Sequence, residues 1–200
     1  MLKSALCISS ILLLVVGSVC GQEQFLKDGE HFKGLYASFS NTDQATAISG
    51  GLLLAPSNWV GVGLGFGKVT SEGTSVWVTG PAVSVWPINE ARQNSPVSLC
   101  LFGAFDMAII RDDAYPDWVY GLGALLGKNI NLSDRLVLQP YAGMSMQNSE
   151  FITNPFLQVS HIGVTFASRT NKGGIGFAII QGSFFENVHM VSFSLGILGP

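Results

Sequence analysis

The sequence predicts an all-β fold, a closed antiparallel up-and-down transmembrane β-barrel of eight to ten strands, with ten favoured. Three observations predict it. From Trp59 the chain reads Trp59-Val60-Gly61-Val62-Gly63-Leu64-Gly65-Phe66-Gly67, with a bulky apolar residue at each even position and a glycine at each odd one after Trp59. Strict period-2 alternation marks a strand whose two faces meet different surroundings, and glycines on one face mark a place with little room for side chains. Charged residues make up 12% of the 200-residue chain and mean hydropathy is +0.40; soluble domains carry about twice that charge. Past the amino-terminal segment, no stretch reaches the roughly 18–20 uninterrupted apolar residues of a membrane helix, which leaves crossing strands.

In chain order, residues 1–21 read as a secretory signal. Lys3 supplies the positive start, Ile8 to Val16 the apolar stretch, and Val19-Cys20-Gly21 a small-residue cleavage site before Gln22. Acylation of Cys20 is the less favoured reading, because Val19 stands where lipoprotein signals carry Gly, Ala or Ser. Residues 22–30 form a polar lead-in, and 31–198 the barrel domain. Removing the signal leaves Cys100 as a lone thiol, so no disulfide framework holds the fold. The net charge of −3 carries no basic patch, which excludes a nucleic-acid partner.

Ten strands are expected near 31–40, 45–55, 59–68, 75–87, 97–110, 118–130, 135–146, 156–168, 173–184 and 188–198. Most are about twice the usual soluble length and match the 9–11 residues or so of a tilted membrane strand. Turn-rich segments separate them, among them Ala55-Pro56-Ser57-Asn58, Asn131 to Asp134 and Arg169 to Lys172. With the amino terminus on the periplasmic side, most tight turns fall there and the longer connections Arg111–Asp117 and Gln147–Pro155 fall outside, the asymmetry of bacterial barrels; the exceptions are Asn89–Pro96, long on the tight side, and the brief Asn41–Asp43 and Glu186–Asn187 outside. Pro81 and Pro140 fall inside strands, where each removes a ladder hydrogen bond, so bulges or bends are expected there.

Period 2 also assigns faces. In the fifth strand Val97, Leu99, Leu101, Phe105, Met107 and Ile109 oppose Ser98, Cys100, Phe102, Ala104, Asp106 and Ala108. In the eighth Ile162, Val164 and Phe166 oppose His161, Gly163, Thr165 and Ala167; in the tenth Val191, Phe193, Leu195 and Ile197 oppose Ser192, Ser194 and Gly196. A soluble sandwich would set its apolar row against charges. Here the second row is small and mildly polar, as in a barrel that is apolar outside and polar within. Trp59, Trp77, Trp86 and Trp118 lie near strand ends, where an aromatic girdle meets the headgroup level.

The segment Gly127-Lys128-Asn129-Ile130-Asn131-Leu132-Ser133-Asp134-Arg135-Leu136-Val137-Leu138-Gln139-Pro140-Tyr141-Ala142-Gly143 resembles the strand–turn–strand of small bacterial outer-membrane barrels of the OmpA/OmpX-like kind. The resemblance extends as a pattern over 31–198. It implies an integral outer-membrane protein in contact with membrane lipid and lipopolysaccharide, inserted by the barrel-assembly machinery. Such relatives often end in an aromatic residue read by that machinery, whereas this chain ends Gly196-Ile197-Leu198-Gly199-Pro200.

For chemistry, Asp106 is the acidic group placed well inside a strand, on the inner row. Unpaired burial is costly, so it is expected in a structural lumen network with Gln139, Tyr141 and His161. Asp112, Asp113 and Asp117 read as a solvated loop with at most weak cation binding. Ser160-His161 and His189-x-x-Ser192 place serine and histidine on opposite faces of a strand, so neither pair is assembled for nucleophile activation. The Asn131-Leu132-Ser133 sequon reads as chance, and no phosphate loop, metal cluster or cofactor motif is present. The expected function is a nonenzymatic barrel with a structural, adhesive or surface-interaction role. A narrow passive solute channel is the alternative, followed by an outer-membrane hydrolase or acyltransferase and by a soluble exported β domain.

Overall fold

A computed structural model describes residues 30–43, 45–71, 73–109, 117–149, 157–185 and 188–200. The strands are β1 (Phe32–Asn41), β2 (Ala45–Ser57), β3 (Val60–Ser71), β4 (Thr74–Ile88), β5 (Ser98–Ala108), β6 (Trp118–Gly127), β7 (Ile130–Asn131), β8 (Leu136–Ser149), β9 (Leu157–Arg169), β10 (Ile175–Phe185) and β11 (Val188–Gly199); a single helical turn, α1 (Glu90–Gln93), lies between β4 and β5. Each long strand pairs antiparallel with its neighbours in sequence. The sheet closes where β1 meets β11 and where β6 meets β8. The two-residue β7 continues β6 in the same register against β8, so the wall has ten staves. Closure leaves no unpaired edge, which satisfies the backbone without water.

The period-2 faces emerge as read. Leu35, Ile48, Leu122 and Val191 are 59–63% exposed on the outside, and the same surface carries Leu52, Leu64, Phe66, Leu101, Met107, Ile162, Phe193, Leu195 and Ile197. Inside, Asp106, Gln139, Gln147, His161, Thr165, Gln181 and serines on eight strands are buried. A surface this apolar around a partly polar interior is inverted relative to a soluble protein and is what hydrocarbon solvates.

The prolines disturb the ladder without shifting it. Leu64 still faces Pro81, and the β4–β5 pairing merely lapses at Gly80 and Pro81 before resuming in the same register at Ala82 and Ala104. Pro140 lies across from Lys128, whose N–H donates to the Pro140 carbonyl at 3.1 Å; the reciprocal bond is the one a proline cannot make, and the ladder lapses at Lys128 and Asn129 before β7 resumes in the same register. The register shifts occur elsewhere, between Leu54 and Ser57 and between Val85 and Ile88. The expected bulges at the two prolines are therefore not found.

Both ends of the barrel lie at one rim, called here the terminal rim; the opposite one is the distal rim. Residues 58–59, 89–97, 128–135 and 170–174 connect strands at the terminal rim, and 42–44, 72–73, 109–117, 150–156 and 186–187 at the distal one. The expected contrast of tight and long connections does not separate the two rims. The long terminal connection is instead consolidated: α1 packs beside the β6–β7 break, where Glu90 pairs with Lys128 and its Oε2 accepts from the Asn129 N–H at 2.8 Å. Nearby, Glu30 makes a two-pronged ion pair with Arg169, at 2.9 and 3.1 Å. Residues 1–21, expected to be a signal, and residues 22–29 lie outside the described residues.

Candidate functional site

The lumen is built in sections along the strands. In the terminal half, Phe32, Tyr36, Leu53, Trp86, Cys100, Phe102, Leu125, Ile175, Phe177 and Leu198 form one buried apolar cluster. Four aromatic rings in this half sit directly opposite a glycine on the next strand: Tyr36 with Gly51, Phe102 with Gly123, Tyr141 with Gly163, and Phe177 with Gly196. A Cβ at those glycines would come within 2.8, 2.3, 2.5 and 2.1 Å of the facing ring. The ring reaches over the glycine because no side chain stands there, which covers the weak strand position and fills the narrow lumen.

Past this plug the interior turns polar on β8–β10 and along the β1–β11 seam, while β2, β3, β4 and β6 carry a second buried apolar cluster of Ala45, Ala47, Val69, Val76, Val78 and Val119. Tyr141 Oη donates to Gln181 Oε1 at 2.8 Å, and Gln181 Nε2 donates to Ser183 Oγ at 3.1 Å. Ser183 Oγ lies 3.0 Å from His161 Nδ1, and His161 Nε2 lies 2.8 Å from Ser145 Oγ. The result is one hydrogen-bonded relay across β8, β9 and β10, with each imidazole nitrogen held by a hydroxyl. Register explains the assembly: Ser183 stands opposite His161 on β10, and Ser145 lies diagonally from it on β8, two residues beyond the facing Gly143. The seam between the first and last strands carries serines as well. Ser38 meets Ser194 at 2.6 Å and Ser40 donates to Ser192 at 2.8 Å.

The predicted network is thus split. His161 and Tyr141 belong to one relay, joined through Gln181, Ser183 and Ser145, which the sequence reading did not single out. Asp106 is inward and 2% exposed, but it stands on β5, outside the three strands of the relay, and leans away from them over Gly80 on β4; a Cβ there would lie 2.5 Å from its Oδ1. Tyr36 approaches the same row from β1 over Gly51, and Gly65 is the position between Gly51 and Gly80. This row explains one glycine of the alternating strand: two long polar side chains reach toward it from either side. Gln139 is inward and buried beside Thr165, outside the relay. Among the described residues, Tyr36 Oη, Ser49 Oγ, Asp106 Oδ2, Thr165 Oγ1, Gln139 Nε2 and both side-chain polar atoms of Gln147 have no hydrogen-bond partner. Their chemistry suits a polar solute or water in the mid-lumen.

Of the four tryptophans, Trp59 (47% exposed) and Trp77 (36% exposed) face outward near opposite rims. Trp118 stacks on Tyr120 at the distal end of β6, with ring centroids 5.7 Å apart. Trp86 does not belong to a girdle: it is 4% exposed and packs in the terminal plug. Trp77 and Trp86 share β4 at odd and even positions, so one strand cannot turn both outward. Ser160 faces out and His161 in, while exposed His189 contrasts with buried Ser192, as their spacings require. The relay does hold a serine–histidine contact, Ser145–His161, but both residues are buried. Asp112 and Asp113 lie outside the described residues.

No family model and no curated protein matches the chain. Solved structures do. The chain is similar to the beta domain of the Bordetella autotransporter BrkA, at 9% identity over 86% of this chain and 98% of that one, with a TM-score of 0.54. It is similar to an outer membrane channel from Pseudomonas putida F1, at 13% identity over 89% and 97% with a TM-score of 0.54. The translocator domain of the autotransporter NalP from Neisseria meningitidis matches at 11% identity over 96% and 94%, with a TM-score of 0.53. The fold is that of bacterial outer-membrane β-barrels. At such identities the likeness carries the architecture alone, and it arises from barrels that serve as translocators and as a channel.

Proposed function

We propose that this chain is an integral protein of the bacterial outer membrane, exported by its amino-terminal signal, whose barrel is a sealed, nonenzymatic support with a structural, adhesive or surface-interaction role. The observation that carries this reading is the apolar plug of the terminal half, set inside a wall whose outer surface is apolar on every long strand. A lumen filled by Phe102, Trp86, Phe177, Leu198 and their neighbours opposes passage of polar solutes. The terminal rim faces the periplasm in this reading and the distal rim the exterior. Membrane lipid and lipopolysaccharide are its surroundings, and the barrel-assembly machinery inserts it.

The test is fractionation followed by electrophysiology. The protein is expected to resist carbonate extraction, to require detergent, and to migrate differently on gels before and after heating. In planar bilayers it is expected to give no conductance steps above background. Recovery in the aqueous fraction overturns the membrane reading in favour of a soluble exported β domain. Discrete steps favour the second reading, a narrow passive channel, for which the bare inner face Gly61, Gly63, Gly65 and Gly67 and the unpartnered polar atoms of the mid-lumen speak. Turnover of lipid A or peptide that vanishes in His161→Ala would overturn the nonenzymatic part.

A further inference from the structure

We infer that the outer wall of β1–β4, just below the distal rim, binds the phosphate of a membrane glycolipid of the lipid A class through Lys68, with a row of hydroxyl and amide side chains behind it. The inference rests on the outer-membrane reading above and adds a ligand and a position to it.

The site is a grid set by register. Asn41 faces Thr46, Thr46 faces Thr70, and Thr70 faces Ser75, so four polar side chains run side by side across four strands on the outer face. They are joined in pairs: Thr46 Oγ1 donates to Asn41 Oδ1 at 3.1 Å, and the Thr70 and Ser75 hydroxyls meet at 3.0 Å. One row toward the membrane centre stand Phe39, Ile48, Lys68 and Trp77. Beyond them β3 presents only Phe66, Leu64, Val62 and Val60 to the outside. The boundary between hydrocarbon and water therefore runs between two adjacent rows of residues, and Lys68 stands on it.

Its depth agrees. From Val60 to Lys68 the strand advances about 3.4 Å per residue at a tilt of roughly 40°, which spans about 21 Å and nearly fills the ~25 Å apolar band of such barrels. Lys68 is exposed and enters no ion pair among the described residues. Its ammonium lies 5.9 Å from the centroid of Trp77, which itself stacks on Phe66 at 5.1 Å. That distance is the outer limit of a cation–π contact, so the ring takes one side of the ammonium and leaves its other donors to a partner. An unpaired ammonium at headgroup level, with hydroxyl donors on the water side and an aromatic platform on the other, fits an anionic phosphate attached to a sugar and to acyl chains. With the distal rim outward, as in the reading proposed above, the ligand is lipid A of the outer leaflet rather than a phospholipid of the inner one.

The test uses the full-length protein folded in detergent. Wild type, Lys68→Gln, Lys68→Arg and Thr70→Ala/Ser75→Ala are mixed with bisphosphorylated lipid A, dephosphorylated lipid A or phosphatidylglycerol, and retained lipid is counted by native mass spectrometry. Wild type is expected to retain bisphosphorylated lipid A about fivefold better than Lys68→Gln, the scale of one basic side chain at an anionic surface. Lys68→Arg is expected to hold most of the binding and the double variant part of it. Lipid A without phosphates is expected to bind wild type and Lys68→Gln alike, and added inorganic phosphate to leave retention unchanged. Equal retention of bisphosphorylated lipid A by wild type and Lys68→Gln overturns the proposal, and so does phosphatidylglycerol retained as well as lipid A. Heat-dependent gel mobility confirms that each variant is folded. A protein that folds without detergent and stays in the aqueous fraction would instead indict the outer-membrane reading.

Discussion

In the terminal half of the lumen, Phe177 lies on Gly196 and Phe102 on Gly123; farther toward the distal rim, on β8–β10, His161 bridges Ser145 and Ser183. The two regions share a wall, a width and a backbone pattern, and they solve opposite problems. The plug joins large rings to absent side chains, so its cohesion comes from burial and close contact, which fall steeply when shape changes. The polar section joins groups of similar size by directed hydrogen bonds, which contribute little net stability when made and cost more when left unmade. The barrel's resistance to unfolding should therefore reside in the plug, and its response to solutes in the relay.

Trp86 offers the largest way to break this contrast. It is buried among plug residues, while Trp77 on the same strand faces outward. Trp86→Ala is expected to cost about 3–5 kcal/mol, the range for emptying a large buried site. Trp77→Ala is expected to cost about 1 kcal/mol, the value of its stack on Phe66. Urea unfolding from lipid vesicles, followed by gel mobility, compares the two directly; equal losses would deny that the plug carries the stability. Next in size is Gly196→Ala, whose new Cβ would stand 2.1 Å from Phe177 Cζ and 2.7 Å from the Leu35 carbonyl oxygen. A loss of roughly 3 kcal/mol is expected. In the Phe177→Ala background the same substitution should cost clearly less, because the ring it strikes is gone. Strict additivity would show that the ring and the glycine are not coupled.

Much of this architecture was legible from residue types alone. The outer rows of β5, β9 and β11 follow period 2, and the scarcity of charges at outward mid-strand positions separates a hydrocarbon-facing sheet from a water-facing one. What alternation conveys is which face a side chain takes; how far along the barrel it stands relative to other strands is set by cross-strand register. That is why Asp106, Gln139, Tyr141 and His161 were correctly placed inside but wrongly grouped. Ser183, opposite His161, and Ser145, diagonal to it, depend on the lengths of connections between strands. Trp86 was legible and misread: its parity with Trp77 on one unbroken strand already excluded a shared girdle. At the prolines the lost donor was legible and its consequence was not: pairing lapses beside Pro81 and opposite Pro140, yet the register on either side of each lapse is kept, so no bulge forms.

The relay supplies a test of the other half of the contrast. His161→Ala strips the imidazole from both Ser145 Oγ and Ser183 Oγ, and a loss of about 1–3 kcal/mol is expected from orphaned buried hydroxyls. It should leave the plug, and hence the absence of conductance steps, unchanged. A barrel that begins to conduct in His161→Ala would mean that the polar section, rather than the apolar cluster, seals the lumen.

The smallest effect belongs to the ion pair that fastens the lead-in to the terminal rim. Glu30 and Arg169 are partly exposed, at 29% and 26% of their side chains, so solvent screens much of their attraction. Glu30→Gln is expected to cost no more than about 1 kcal/mol, an effect that shrinks further in high salt. Because Arg169 continues the inward row of β9 beyond Ala167, its guanidinium stands at the mouth of the plug rather than within it. A loss as large as that of Trp86→Ala would move the stability of the terminal half from packing to charge, and the contrast between the two sections of the lumen would then fail at its stronger end.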